Sequence, residues 1–351
     1  MNIPAIPALD PIARDQAAAR QAMLTKPAGS LGRLETISME LAAMQGVPLP
    51  SVARKAVIVM AGDHGVTAEG VSAYPAAVTA QMVLNFLYDG AAINVLAKLA
   101  GARMTVVDMG VAEELPDHPR LIKRKQALGT RNFAIQPAMT RAQAAAAIQV
   151  GMDILAEEAA KGLDLVAIGE MGIGNTTAAA ALTAAFTGLP PAQVTWRGTG
   201  VDDAGLANKI AVIERALKLH RPDPTDALGV LACLGGYEIA GMVGVTLAAA
   251  ARRIPVVIDG LISSAAALVA VELAPDVRNY LFAAHRSEEI GHQAILDRLG
   301  LEPLLDLGMR LGEGSGAAVA FHIMDAATAT LSDMATFADA GVSEKAEMEL
   351  A

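Results

Sequence analysis

The chain has 351 residues, more than one compact core usually holds, so a large core with a smaller lobe is expected. Hydrophobic residues make up 53% but aromatics only 3%, a mix suited to helices packed closely on a sheet; the net charge of −10 argues against a nucleic-acid partner, which needs a basic face. One cysteine, Cys233, excludes an intrachain disulfide framework and suits a reducing, cytoplasmic setting.

Met1–Asp10 lacks the basic-then-apolar pattern of a signal peptide. Residues 12–45 carry helical spacing at Ile12, Ala19 and Met23, then at Leu34, Ile37, Leu41 and Met44. Pro27-Ala28-Gly29-Ser30 reads as the break between two helices, and Pro48 and Pro50 close the region. Short β-branched runs then alternate with helical stretches, the mark of βαβ units and a parallel sheet. The strands expected are Ala56–Ala61, Met104–Met109, Leu163–Ile168, Val194–Trp196, Pro255–Ile258, Tyr280–Ala283 and part of Leu304–Leu311. Ala227–Ala251 is the longest apolar stretch, but Glu238 and the glycines at 235, 236, 241 and 244 interrupt it. It reads as one buried helix, and no membrane span is expected. The apolar setting of Cys233 within that stretch predicts a buried structural thiol. After Asp325 the strand signals stop; a final helix returning to the N-terminal helices is expected, with Glu344–Ala351 as a frayed end.

A glycine-bearing loop follows most strands: Gly62-Asp63-His64-Gly65, Gly110 after Asp108, Gly169-Glu170-Met171-Gly172, Gly198-Thr199-Gly200 and Asp259-Gly260. Ligands of parallel α/β sheets bind beyond the carboxyl ends of the strands, so these five loops are expected to converge on one crevice.

Three segments carry the chemistry. In Arg310-Leu311-Gly312-Glu313-Gly314-Ser315-Gly316, one carboxylate sits among glycines between two apolar runs. Burial there would raise its pKa toward general-base use, whereas the plainer reading is a helix-capping Glu. Gly172-Ile173-Gly174-Asn175-Thr176-Thr177 precedes an alanine-rich helix. With Asn or Thr as N-cap it could hold an anion on the helix N-terminus, or be a plain cap; it is neither a Walker A loop nor a GxGxxG fingerprint. Gly198-Thr199-Gly200 with Lys209 could supply a second grip on a phosphate, though a solvated surface lysine fits equally. Ser72, Tyr74, Gln81 and Met82 offer an apolar surface with polar handles for a planar heterocycle, or simply core. His64, His285, His292 and His322 have no metal-ligand spacing and no cysteine partner; they are expected to orient other groups, with neither a metal nor a cofactor bound.

These motifs resemble one family, the nicotinate-nucleotide–dimethylbenzimidazole phosphoribosyltransferases. The resemblance runs nearly end to end, through Lys26–Glu35, Ala61–Val66, Gly169–Thr177, Gly235–Met242, Asp259-Gly260, His285–Glu288 and Arg310–Gly316. It implies an α/β fold with a parallel Rossmann-like sheet flanked by helices (residues 51–324). A small helical domain would be built from residues 1–50 and 325–351. It also implies a homodimer that moves the 5-phosphoribosyl group from nicotinate mononucleotide to 5,6-dimethylbenzimidazole, giving α-ribazole 5′-phosphate and nicotinate for the lower ligand of cobalamin. By motif, Glu313 is the base and Glu170 lies beside the reacting centre. Gly174, Asn175, Thr176, Thr177, Gly198, Gly200 and Lys209 hold the 5′-phosphate, while Ser287 and Arg310 face nicotinate and ribose. Ser72, Tyr74, Gln81 and Met82 line the benzimidazole pocket. Two alternatives stand beside this: another nucleoside or nucleotide glycosyl-transfer enzyme, and a nucleotide-binding protein without turnover. A calcium-dependent hydrolase fits poorly, since Asp202-Asp203 is the only adjacent Asp pair.

Overall fold

The computed structural model describes residues 2–343, so the expected frayed end at Glu344–Ala351 lies outside the described residues. The chain forms two compact units, one built on Arg54–Ala320 with Pro7 and the residues before it, the other on Ala8–Ala53 and the residues from Phe321 onward.

In the second unit, helices Pro11–Met23 and Arg33–Gln45 pack on each other through Ala17 and Ala42, joined by Leu331 and Met39. Asp10 starts the first helix, its side chain accepting from Ala13 N at 3.0 Å ahead of Pro11. The buried face of this helix is Ala13, Ala17 and Gln21, not the expected Ile12, Ala19 and Met23; Ile12 is 69% exposed. Small side chains let the two helices approach closely, and Gln21 Nε2 donates to Ser38 Oγ at 2.9 Å across them. The break between the helices runs on to Gly32, held by Lys26 Nζ 2.8 Å from Glu35 Oε1 and by Leu31 N donating to that same oxygen at 3.0 Å.

The first unit is built on a six-stranded parallel sheet: β1 Lys55–Gly62, β2 Arg103–Gly110, β3 Leu121–Lys123, β4 Leu165–Met171, β5 Val256–Ile258 and β6 Leu281–Ala283. Strand order is β3-β2-β1-β4-β5-β6, so the winding reverses between β1 and β4. That order is the dinucleotide-fold topology, in which the ligand crevice opens at the reversal. All eight residues of β1 are buried, as expected for a strand covered on both faces.

Several expected elements differ. Val194–Trp196 is not a strand: Pro190-Pro191 starts a short helix, Pro191–Val194, and among the described residues no strand pairs with Thr195 or Trp196. Leu304–Leu311 contributes a single bridge, Leu305 to His285, while the three-residue strand β3 carries no signal beyond its turns. Ala227–Ala251 is two helices, Ala227–Leu234 and Tyr237–Ala251, because Gly235 and Gly236 run extended. A Cβ on Gly236 would stand 2.4 Å from His64 Cε1. Cys233 is half-buried, not buried as expected, since it sits at the outer end of the first of these helices. Val78–Leu99 is long and apolar enough to cross a membrane by length and composition, but it comprises two helices, Val78–Leu87 and Ala92–Leu99, with a turn between.

Helix Tyr237–Ala251 packs under the sheet and against helix Arg141–Ala160 at backbone contact. A Cβ on Gly151 would lie 1.9 Å from Gly241 O, and one on Gly244 would lie 1.9 Å from Ile148 O. At an exposed helical site Gly→Ala gains about 0.5–1 kcal/mol. Here the sign reverses: Gly151→Ala is expected to lower unfolding free energy by about 1–3 kcal/mol, the usual range for overpacking. Chemical denaturation checks this, and a raised midpoint would contradict the close packing.

Candidate active site

A cleft of about 700 Å³ opens beyond the carboxyl ends of β4, β5 and β6. Glu170 reaches it from β4, Asp259 from the end of β5, His285 from the end of β6 and Glu313 from the glycine turn. A wider groove of about 1070 Å³ runs past Leu99, Met104 and Arg120. Its one carboxylate, Asp89, is exposed and held by Arg120 below the usual carboxylate range, so nothing there is poised for proton transfer.

The turn at Glu313 is tightly constrained. Gly312, Glu313 and Gly314 all have positive φ, at 87°, 65° and 86°. A non-glycine residue in that region stores about 1 kcal/mol or more. The strain holds because the turn is pressed onto the sheet: a Cβ on Gly169 would lie 2.2 Å from Glu313 O, and one on Gly312 would lie 2.4 Å from Glu170 Oε1. Backbone donors fix it further. Glu313 N donates to Glu170 Oε1 at 3.4 Å, while Gly314 N and Ala317 N donate to Asp259 at 3.2 and 3.1 Å. The Glu313 carboxylate accepts from Ile93 N at 3.4 Å, on the first turn of helix Ala92–Leu99. Glu313 is 6% exposed. Burial pushes its pKa up, the Ile93 N–H opposes this, and the charge of Asp259 adds to it.

Glu170 is more strongly perturbed. Burial, then the nearby Asp259 and Glu238 carboxylates, push its pKa up to about 8, although Glu313 N and Asn175 Nδ2 both donate to it. This bears on the cap of helix Asn175–Thr187. The N-cap is Gly174 at φ 95°, which brings no side chain, rather than the expected Asn or Thr. Asn175 is turned to Glu170 instead, leaving the helix end without a side-chain cap. Ile173 N is tied to Thr79 Oγ1 at 3.1 Å.

Opposite this helix end lies Lys209, which is 1% exposed. Its Nζ donates to Thr176 Oγ1 at 2.8 Å and to Trp196 O at 3.2 Å, so it is no surface lysine. Burial lowers its pKa to about 8 against the opposing pull of Glu289. Gly198 has positive φ, and a Cβ there would stand 2.7 Å from Thr176 Oγ1 and 3.0 Å from Lys209 Nζ. Thr176, Gly198, Thr199, Ser287 and Arg310 line the cleft with Asn175, whereas Thr177 is fully buried and Gly200 faces open space. Tyr74 and Met82 also line it. Ser72 does not, but its Oγ lies 3.2 Å from Thr199 Oγ1 and ties the two loops together. Gln81 is exposed and outside the lining, since one helical residue from Met82 turns it by about 100°.

Of the five glycine-bearing loops, those at Glu170, Gly198 and Asp259 meet at the cleft. The other two are tied to each other instead: Asp63 accepts from Ala112 N, in the loop after β2, at 2.8 Å, Asp108 accepts from Val111 N at 2.9 Å, and neither lines the cleft. Three histidines are held by partners. His64 Nε2 meets Glu238 Oε1 at 2.5 Å, His285 Nε2 meets Asp259 Oδ1 at 3.4 Å, and His292 lies between Ser287 N and Ser264 Oγ. His322 is exposed. Among the described residues no group of three or more His, Cys, Asp or Glu is placed to hold a metal.

Glu289 went unnoticed in the sequence. It lines the cleft, accepts from Gly198 N at 2.9 Å and faces Lys209. Its neighbour Glu288 is exposed, and nothing in the Ser287-Glu288-Glu289 pattern distinguishes the inward carboxylate from the outward one.

A reversed parallel sheet with an uncapped helix end, a buried lysine and several carboxylates at one crevice has the equipment of an enzyme for small phosphorylated substrates. Residues 6–342 match a family model described as phosphoribosyltransferase. The nicotinate-nucleotide–dimethylbenzimidazole phosphoribosyltransferase of Roseiflexus sp. (strain RS-1) is 60% identical over 97% of this chain and 96% of its own length. The enzyme of that name from Geobacter sulfurreducens is 56% identical over 94% of each chain. The crystal structure of the Thermus thermophilus enzyme of this name superposes with a TM-score of 0.91 at 48% identity, covering 96% of this chain and all of that one. The chain belongs to the nicotinate-nucleotide–dimethylbenzimidazole phosphoribosyltransferase family.

A pKa of about 8 leaves Glu170 mostly protonated at pH 7. Difference infrared spectroscopy is expected to show a buried carboxylic-acid carbonyl band that fades as pH rises through 8 and is missing in Glu170→Gln. Its absence at pH 7 in the native protein would contradict this electrostatic picture.

Proposed function

We propose that this chain transfers the 5-phosphoribosyl group of nicotinate mononucleotide to 5,6-dimethylbenzimidazole. Nicotinate and α-ribazole 5′-phosphate, the precursor of the cobalamin lower ligand, are the products. The observation that carries this reading is Glu313, a buried carboxylate held in a left-handed backbone conformation at the cleft. A binding protein gains nothing from storing strain there, whereas a base must be held in place before substrate arrives.

The glycosidic nitrogen of nicotinate mononucleotide is a pyridinium. When the bond from C1′ to that nitrogen breaks, the electron pair returns to the ring and the nitrogen leaves neutral. One benzimidazole nitrogen attacks C1′ from the opposite face, inverting the β-ribotide to the α-ribotide, and the other ring nitrogen gives up its proton to Glu313. The same carboxylate stabilises positive charge developing on the ribose. Glu170, mostly protonated at neutral pH, does not compete as base; two neighbouring carboxyls with different environments take different roles. The 5′-phosphate sits at the N-terminus of helix Asn175–Thr187, between Gly174–Thr177 and Gly198–Gly200, with Lys209 as its cation. Ser287 and Arg310 face ribose and nicotinate. Tyr74 and Met82 line the benzimidazole side, with Ser72 and Gln81 in the same segment. On the family resemblance the enzyme acts as a homodimer in the cytoplasm, with a small helical domain formed by both chain ends, and binds neither metal nor cofactor.

Glu313→Gln keeps the shape and removes the base. Its kcat is expected to fall about 100- to 10,000-fold, the range for positioned acid–base catalysis, with nicotinate mononucleotide still bound. Retention of more than a tenth of the activity would rule Glu313 out as base. Lys209→Ala is expected to weaken nicotinate mononucleotide by about 1.5–3 kcal/mol, the worth of a charge-assisted hydrogen bond, and to leave benzimidazole nearly unaffected. Equal weakening of both in calorimetry would remove Lys209 from the phosphate site.

A further inference from the structure

The glycine turn reaches the sheet through one side chain that none of the roles above uses. Asp259, at the end of β5, is 2% exposed. Its two oxygens accept from Gly314 N and Ala317 N, so it caps helix Ser315–Asp333 from another element. Gly314 directly follows Glu313 in the left-handed turn, and Ala317 lies in the first turn of the helix. His285 stands behind it, Nε2 3.4 Å from Asp259 Oδ1, and is packed so closely on the turn that a Cβ on Gly316 would lie 2.1 Å from His285 Cδ2. On its other side Ser263 Oγ accepts from Asp259 N at 2.8 Å, which fixes the main chain that carries the carboxylate.

We infer that Asp259 is a positioning residue that holds the Glu313 turn in its left-handed conformation through the amides of Gly314 and Ala317, with His285 packed behind it. The inference rests on Glu313 being the base. Asp259 acts through two backbone amides and through its field. The groups facing Glu313 are Glu170 from β4, Asp259 from the end of β5, and Ile93 N of helix Ala92–Leu99, with His285 behind Asp259. Of these, the charge of Asp259 raises the pKa of Glu313, as it does that of Glu170. For His285 burial works against the imidazolium, but Asp259 outweighs it and holds the pKa above the usual histidine value.

Removing the Asp259 charge lowers the pKa of Glu313. A purely structural role would lower activity at every pH and leave the profile where it was. In Asp259→Asn, kcat is expected to drop about 10- to 100-fold, as for a misplaced catalytic group, with KM for nicotinate mononucleotide within about twofold. The acid limb of its kcat–pH profile should move to lower pH. In His285→Gln, which keeps the Asp259 charge, kcat should fall less and the acid limb should stay where it is. A readout that needs no turnover is the Glu170 carbonyl band, which should titrate at lower pH in Asp259→Asn. Should Asp259→Asn fail to fold, Asp259→Glu carries the test: it keeps the charge but displaces the two acceptors, so kcat should fall about tenfold with the acid limb near its native place. An acid limb unmoved in folded Asp259→Asn, or native kcat in Asp259→Glu, would overturn the inference. Near-native turnover by Glu313→Gln would instead overturn the reading of Glu313, whatever the Asp259 variants do.

Discussion

The closeness of the Gly312–Gly314 turn to the end of β4 is the constraint on which the site depends. Carbonyl 313 occupies the space where any residue other than glycine at 169 would put its side chain, and Gly312 leaves room for the Glu170 carboxyl. This contact places two carboxyls and the Asp259 cap within one apolar crevice. It also explains why Glu313, rather than a glycine, tolerates φ 65°: neighbours on three sides over-determine its backbone.

Clustering carboxylates away from water is unfavourable unless each finds donors. Here the donors are mainly backbone N–H groups and an amide, not cations: Ile93 N for Glu313, Asn175 Nδ2 for Glu170, Gly314 N and Ala317 N for Asp259. Such donors stabilise charge without neutralising it, so the carboxyl pKa values stay raised instead of collapsing into ion pairs. The cationic side of the cleft follows the opposite rule. Lys209 is buried with Glu289 nearby, and its lowered pKa marks a charge held in the interior ahead of an anion. Each half of the crevice is thus electrostatically strained in the sense its proposed ligand would relieve: protons for the carboxyls, a phosphate for the lysine.

Much of this was legible in the sequence because the signals are local. Gly-Glu-Gly marks a turn where only a special backbone fits, and the run Gly172–Thr177 marks a helix start. The β-branched segments at 56–61, 104–109 and 255–258 fall within or across β1, β2 and β5. What escaped is non-local. Val194–Trp196 has strand composition, but among the described residues no strand pairs with it, and two prolines decide its fate. Asp63 and Asp108 also stand at strand ends, yet both are taken up by the loop after β2, at Ala112 and Val111. The inward turn of Glu289 depends on Gly198, 91 positions earlier, and His64 finds Glu238 across 174. Local pattern reports turns and periodicity; which carboxylate faces the crevice is set by partners that only the folded chain brings near.

The most direct test of the account is the product formed when the purified protein is given nicotinate mononucleotide and 5,6-dimethylbenzimidazole. A carboxylate base that deprotonates the incoming benzimidazole predicts equimolar nicotinate and a benzimidazole ribotide, with the anomeric proton resonance of the α configuration. Ribose 5-phosphate in place of the ribotide would mean that water attacks C1′. A β-ribotide would mean that the configuration is retained through two displacements. Either outcome would contradict single inverting transfer with Glu313 as the base.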